Sequence, residues 1–361
     1  MRFRHIWVLA LLFIAAPALL ADGTISYTSS VTYGPLVKAL EATAKTPLEI
    51  PALKPATRTA HLKNGKMQQD GGMFTAIYDS KTMQFTFMDP KRKLYAVTNL
   101  SDLLQQLFAP LATPPPAPPP QMQMILQSMK TTFAFKKTGR TGLTLGLQTE
   151  ETELTLALSM SLPPGILPPA ADATAQPAAP VTILKVVMHV WKPTPAELAR
   201  VPALSEMANF WSDQTAMTTQ LTAGATSAMR RLLGDNSGFG DASSAMIAES
   251  LKDRTPMLRC DIEMYAPVVA ELAPILKARG VASVDPDAAV LEYTTEAVEV
   301  SSAPIDDSVF AVPSDYKSAP LAGVLRPAPP GGADAGRMRV PPAPGAPGEP
   351  TPQELRRIPF L

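Results

Sequence analysis

The chain has few of the side chains that build common metal and disulfide sites. Its one cysteine, Cys260, excludes an intrachain disulfide and a thiolate-rich metal centre. Its three histidines, His5, His61 and His189, are far apart in the sequence, so we expect no histidine metal site. The 32 basic and 32 acidic residues balance, which leaves no bulk positive field to attract nucleic acid. We therefore predict no metal, no cofactor and no nucleic-acid partner.

Common catalytic motifs are also missing. The sequence contains no H-E-x-x-H zinc motif, no G-x-S-x-G nucleophile motif and no glycine-rich phosphate-binding motif. Glu151 and Glu153 share one face of a predicted strand, but the paired carboxylates of glycosidases normally come from separate strands. Asp306-Asp307 is predicted to cap a turn. We therefore expect a protein that is not an enzyme and name no catalytic residue.

Residues 1–21 have the pattern of a secretory signal peptide. Arg2 and Arg4 precede an apolar run from Ile6 to Ala16, and small residues follow this run. The run is shorter than the ~20 apolar residues of a membrane-spanning helix. No cysteine follows it that could carry a lipid anchor. We predict a periplasmic or secreted protein with no transmembrane anchor after signal removal; the alternative is an uncleaved anchor helix.

Proline is the residue in excess, with 39 among 361 residues, about twice the average share. The prolines concentrate in residues 110–120, 163–180 and 321–361. Because proline lacks an N–H donor and fixes φ, the first two segments are predicted to be loops and the third a disordered tail. The alternative is that these segments dock a proline-recognising partner. We predict one domain at residues 22–320, which includes a helical insertion at 194–253.

Alternating apolar and polar residues predict about eight to ten strands. Met83, Phe85 and Phe87 share one face of a strand, after which Asp89-Pro90 turns the chain. A second alternating set is Leu154, Leu156, Leu158 and Met160. The remaining predicted strands are 24–33, 57–63, 73–79, 93–97, 181–191, 256–265 and 289–301.

Helical patterns are fewer. One helix is predicted at Ser101–Phe108, and a second begins after the capping box Thr194-Pro195-Ala196-Glu197 and is split at Pro202. Shorter helices are predicted at 244–252 and 268–277. Because an antiparallel sheet with one apolar face must cover that face, we predict an α+β fold. Its curved antiparallel sheet forms an open half-barrel, and the helices cover the concave face and enclose an apolar cavity.

Four segments of the chain carry motifs that belong together. The first is the meander Ile77–Tyr95 with its turn Asp89-Pro90-Lys91-Arg92-Lys93-Leu94-Tyr95, which has the form D-P-x-x-K-x-Y. The second is Thr138-Gly139, followed by Gly146 and Glu150–Glu153. The third is the strand that ends at Trp191 before the helical insertion, and the fourth is Pro304–Tyr316. Together the four segments resemble the LolA/LolB-like superfamily of periplasmic lipoprotein carriers, and the fourth is close to the ending of those proteins.

The resemblance implies a cavity that holds an acyl chain or another apolar ligand, with a lipid or a lipidated protein as the partner. Its candidate lining residues are Met83, Phe85, Phe87, Leu154, Leu156, Leu158, Met160 and Trp191. Two alternatives stay open. These side chains could simply fill a core, or the protein could be an envelope structural protein with a solid core. In the second case it would bind a protein partner through its proline-rich tail or its helical insertion.

Overall fold

The computed structural model describes residues 22–44, 55–112, 124, 128–161, 180–214, 255–278, 281 and 285–325, with single residues and short runs between 217 and 253. The predicted signal peptide, most of both proline-rich loops and residues 326–361 lie outside the described residues.

Twelve strands form one sheet. In chain order they are β1 Gly23–Tyr33, β2 Ala56–Lys63, β3 Lys66–Asp70, β4 Thr75–Asp79, β5 Gln84–Asp89, β6 Leu94–Asn99, β7 Lys130–Thr144, β8 Leu147–Met160, β9 Val181–Pro193, β10 Arg259–Tyr265, β11 Leu291–Ser301 and β12 Lys317–Ser318. Their order across the sheet is β12-β6-β5-β4-β3-β2-β1-β11-β10-β9-β8-β7. All neighbours are antiparallel except β12 and β6. The sheet is curved and open, which confirms the predicted α+β class and the curved antiparallel sheet.

Helices connect and follow the strands. The α-helices are α1 Pro35–Ala44, α2 Leu100–Ala112, α3 Pro195–Arg200, α4 Pro202–Asp213, α5 Val269–Ala278 and α6 Leu321–Leu325, and a 3₁₀ helix spans Asp307–Phe310. The Oγ1 of Thr194 accepts a hydrogen bond from the Glu197 N–H, which confirms the predicted cap. The chain breaks between α3 and α4 at Pro202, as predicted. Helix α6 extends the folded part to Leu325, beyond the predicted domain end at residue 320.

Three strands were not expected from the sequence: β3, β7 and β12. Strand β3 is short and polar, so it carries little alternation, but the turn before it is a hairpin signal. Asn64 and Gly65 have φ values of 54° and 79°, the left-handed pair that a two-residue hairpin requires. In β7 a bulge interrupts the period, because the register with β8 shifts between Lys137 and Thr141.

Over β1 to β4 and β11, one face of the sheet packs against helix α4. Tyr78 illustrates the contact: its ring meets the ring of Phe210 edge to face at 6.2 Å, and its hydroxyl donates to Gln214 Oε1 at 2.6 Å. The buried cluster around this contact contains Ile25, Tyr27, Leu62, Tyr78 and Ala297 from strands and Ala203, Leu204, Met207 and Phe210 from α4. This cluster is the main core of the described chain.

A second core cluster covers β5 and β6 on the same face. Phe87 pairs with Ala96 across the two strands. Both pack with Leu103 of α2 and with Leu321 and Val324 of α6. Helices α2, α4 and α6 therefore all pack against one face of one half of the sheet.

Candidate functional site

The other half of the same face carries a continuous set of apolar side chains. Strand pairing places Leu156 between Phe133 and Val186, and Leu154 between Phe135 and Met188. We define the β7–β10 apolar surface as Phe133, Phe135, Leu154, Leu156, Leu158, Leu184, Val186, Met188, Ile262 and Met264. Its side chains are half-buried, except that Phe135 is 37% exposed. None of them belongs to either core cluster.

Of the eight residues predicted to line a cavity, three lie on this surface: Leu154, Leu156 and Leu158. Met160 ends the same strand and pairs with Val181. The structure therefore brings these four residues of β8 together, as their alternation predicts. It also adds Phe133, Phe135, Ile262 and Met264, which sequence reasoning missed. The alternation of Phe133 and Phe135 within β7 was the signal that could have found the first two.

Phe85 and Phe87 are on the same face but in its covered half. Their rings stack with centroids 6.2 Å apart, and Phe87 is 5% exposed. Met83 precedes β5 in a turn with φ of 55°, and its sulfur lies 3.1 Å from the Tyr78 hydroxyl. Phe85 and Phe87 pack in the core between sheet and helices, whereas Met83 is 38% exposed at the turn before β5. All three therefore lie apart from the β7–β10 apolar surface.

Trp191 lies on the opposite, polar face of the sheet. It pairs with Glu151 and Arg259. Because side chains alternate along β8, Glu151 and the leucines at 154, 156 and 158 lie on opposite faces, and Trp191 is on the face of Glu151. Its ring covers Gly142, where an added Cβ would lie 3.0 Å from the indole Cζ3. Its Nε1 donates to Asp261 Oδ2 at 3.3 Å. Trp191 therefore covers a glycine on the polar face rather than contributing to the apolar surface.

A buried carboxylate organises the polar face. The Glu151 side chain is 1% exposed and accepts hydrogen bonds from the Arg140 guanidinium and from Thr138 Oγ1, the latter at 2.5 Å. Nδ1 of His189 lies 2.8 Å from Glu151 Oε1. Glu151 and Glu153 do share a face, as predicted, but Glu151 holds the bulge of β7 in place. Its carboxylate is held by the Arg140 and Thr138 donors, an arrangement suited to fixing the bulge.

A second carboxylate on this face, Asp261, has a similar role. It accepts hydrogen bonds from Arg259 Nε at 2.9 Å and from Thr294 Oγ1 at 2.8 Å, besides the bond from Trp191. Strands β9, β10 and β11 are thus joined by side-chain bonds as well as by their ladders. Neither carboxylate belongs to a metal cluster: no group of three His, Cys, Asp or Glu suited to a metal exists among the described residues.

One buried hydroxyl lies at the border of the apolar surface. Thr131 pairs with Leu158, so its side chain is on the apolar face, and the residue is 9% exposed. Its Oγ1 has no hydrogen-bond partner among the described residues. Binding sites for apolar ligands commonly contain a few such polar groups, which fix the orientation of the ligand.

The lone thiol offers no nucleophile. Cys260 is fully buried in β10, and burial raises the pKa of its thiol to about 12. At neutral pH the reactive thiolate is therefore scarce. Among the described helices, none combines the length and the apolarity that crossing a membrane requires.

Neither a protein-family model nor a curated protein sequence matches this chain.

Proposed function

We propose that this chain is an exported, non-enzymatic binding protein that holds an apolar ligand, such as an acyl chain, on the β7–β10 apolar surface. The observation that supports the proposal is that the described helices cover only one half of one sheet face. Helices α2, α4 and α6 cover its first half, whereas the aliphatic side chains of the second half stay half-buried and outside both core clusters. Contiguous apolar surface of this kind marks sites for ligands or partners.

The energetics favour a long apolar ligand. An aqueous compartment disfavours acyl chains, and each buried CH₂ contributes about 0.8 kcal/mol. Methionine side chains adapt to ligands of different shape because they are unbranched and flexible, and Met188 and Met264 lie on this surface. Within this proposal the Thr131 hydroxyl donates to a carbonyl at the polar end of the ligand.

The proposal includes a relationship to the LolA/LolB-like superfamily, with helices over the concave face of the half-barrel. Support comes from two of the segments that carry the resemblance, because they contact each other across a long sequence separation. Lys93 of the D-P-K-R-K turn pairs with Asp315 at 2.5 Å, and Lys317, just after the Pro304–Tyr316 segment, pairs with Leu94. The relationship also implies cleavage of the signal peptide, which N-terminal sequencing of the protein from its own envelope tests.

A titration with the fluorescent fatty acid cis-parinaric acid tests the binding function. Leu156→Glu places a charge on the β7–β10 apolar surface and should weaken binding at least tenfold. Ala157→Glu is the matched control, because Ala157 is the next residue of β8 and pairs with Lys185 on the polar face. Circular dichroism checks that both variants fold. The milder Leu156→Ala should weaken binding severalfold.

Native mass spectrometry of the unmodified protein from its own envelope provides the second readout. We expect a co-purifying lipid, whose removal lowers the melting temperature because a ligand bound to the native state stabilises it. The absence of any lipid, together with equal parinaric acid affinity in the Leu156→Glu and Ala157→Glu variants, would overturn the proposal.

A further inference from the structure

Strand β7 is the long edge strand of the described sheet. It spans fifteen residues and, within the part of the chain that the structure describes, pairs with β8 alone. The opposite edge, β12, has only two residues. An edge strand presents unpaired N–H and C=O groups that can accept another strand.

The regular part of this edge is Lys130–Lys137. Beyond it the register shifts, and Thr138 and Arg140 are held by Glu151. Eight residues at about 3.3 Å each give an edge of roughly 26 Å, the length of an ordinary strand. Six of these eight side chains are exposed; the exceptions are Thr131 and Phe133.

The two sides of this edge differ chemically. Pairing with β8 places Phe133 and Phe135 on the apolar side, opposite Leu156 and Leu154. It places Lys130 and Lys136 on the polar side, opposite Ser159 and Glu153. The third lysine, Lys137, ends the segment on the apolar side, opposite Thr152. The segment Lys130–Lys137 contains no acidic residue. A strand that matches both sides would alternate acidic and apolar residues.

A second copy of this chain is a poor occupant. Antiparallel self-pairing brings together two segments that each carry three lysines and no acidic residue. Centred on Phe133, it places Lys130 of each copy directly opposite Lys136 of the other, where like charges destabilise the pair. Centred on Ala134, it places Lys136 opposite Thr132, but neither segment supplies a carboxylate to the lysines. An acidic strand supplies these carboxylates, so the charge of the edge favours it over a second copy.

We propose that the β7 edge, Lys130–Lys137, binds an extended segment of a protein partner in which acidic and apolar residues alternate. The segment adds a thirteenth strand to the sheet. Its acidic residues lie beside Lys130 and Lys136, and its apolar residues lie beside Phe133 and Phe135. This interaction shares Phe133 and Phe135 with the β7–β10 apolar surface, but its main-chain pairing does not rest on the proposed ligand function.

The test uses the full chain and a peptide of four Glu-Val repeats with an acetylated N-terminus and an amidated C-terminus. Fluorescence anisotropy measures the affinity, and hydrogen exchange with mass spectrometry locates the contact. We expect binding with increased amide protection in β7. A peptide of the same composition with four Glu followed by four Val should bind at least tenfold more weakly, because it cannot match the two sides of the edge.

Charge reversal gives the decisive comparison. The triple variant Lys130→Glu, Lys136→Glu and Lys137→Glu should lose at least tenfold affinity for the Glu-Val peptide and gain affinity for a Lys-Val peptide. The matched control reverses three exposed lysines elsewhere, Lys38, Lys81 and Lys91, and should change either affinity less than threefold. Equal losses in both triple variants, binding without protection of β7, or dimerisation through β7 would each overturn the proposal.

Discussion

Arg92 connects the turn between β5 and β6 to the last described helix, because its Nη2 donates to the carbonyl oxygen of Val324 at 2.6 Å. The same guanidinium is positioned by Asp89, whose Oδ2 accepts from Arg92 Nε at 2.6 Å. The Asp-Pro-Lys-Arg turn is therefore more than a reversal of the chain. It fixes the position of α6, whose Leu321 and Val324 complete the second core cluster.

The contribution of Asp89 to stability should depend on pH in a defined direction. Burial opposes ionisation of Asp89, but hydrogen bonds from the N–H groups of Arg92 and Lys91 and from the Arg92 side chain outweigh burial and hold its pKa below the ordinary value. A carboxylate with a lowered pKa stabilises the fold above its unfolded-state pKa of about 4 and loses that contribution as the pH falls through the folded-state value. We expect Asp89→Asn to cost about 1–2 kcal/mol at pH 7.

Urea unfolding of the wild type and Asp89→Asn between pH 7 and pH 3 checks this expectation. The difference in unfolding free energy should stay constant down to about pH 5 and shrink below about pH 4. Asp287→Asn serves as the control, since Asp287 is exposed and lies in a turn away from the Asp89 site. A difference that persists undiminished at pH 3 would contradict the assignment.

Glu151 should be far more important for stability than its neighbour Glu150. Glu151→Gln removes the charge that holds Arg140, Thr138 and His189, and we expect a loss of about 2 kcal/mol. Because the Arg140 side chain is 57% exposed, it regains water when the carboxylate is lost, which limits the cost. Glu150→Gln changes the same charge at an exposed position and should stay within about 0.5 kcal/mol of the wild type.

Chemical denaturation of both variants measures these two values. Hydrogen exchange adds a local readout, because only Glu151→Gln should increase exchange around the bulge of β7. Equal stability of the two variants would show that the Glu151 carboxylate does not organise this part of the sheet.

Alternation of side chains predicts much of this fold. Strand β5 follows it directly, as do the apolar residues of β8, because one face of each strand meets water or polar groups and the other meets apolar groups. Strand β9 is predicted instead as a long run that is apolar at most positions. The cap at Thr194 and the break at Pro202 are equally local, since each depends on a few adjacent residues. These features are predictable because neighbouring residues alone determine them.

The features that depend on distant pairing could not be predicted. Trp191 is not among them: it lies within β9 at even spacing from Lys185 and His189, so alternation alone places it on their polar face, a local indication that the predicted cavity lining missed. Phe85 and Phe87 alternate like the leucines of β8, yet within the part of the chain that the structure describes, helices cover the two phenylalanines and not the leucines. Tertiary packing determines which half of the sheet face the helices cover, and the periodicity of the sequence does not encode this packing.

The contact between Gly142 and Trp191 gives a final prediction. An added Cβ at position 142 would lie 3.0 Å from Cζ3 and 3.3 Å from Cε3 of the indole, and the ring is held by its bond to Asp261. Gly142→Ala should therefore cost about 1 kcal/mol, because the ring must shift to make room. In a Trp191→Leu background the cost should vanish or reverse, since alanine is otherwise preferred to glycine within a strand by about 0.5–1 kcal/mol.

Gly323→Ala is the control and should not destabilise, because nothing lies within 4 Å of its added Cβ. A double-mutant cycle by thermal and urea unfolding measures the coupling, and an equal cost of Gly142→Ala in both backgrounds would show that the indole does not require glycine at this position.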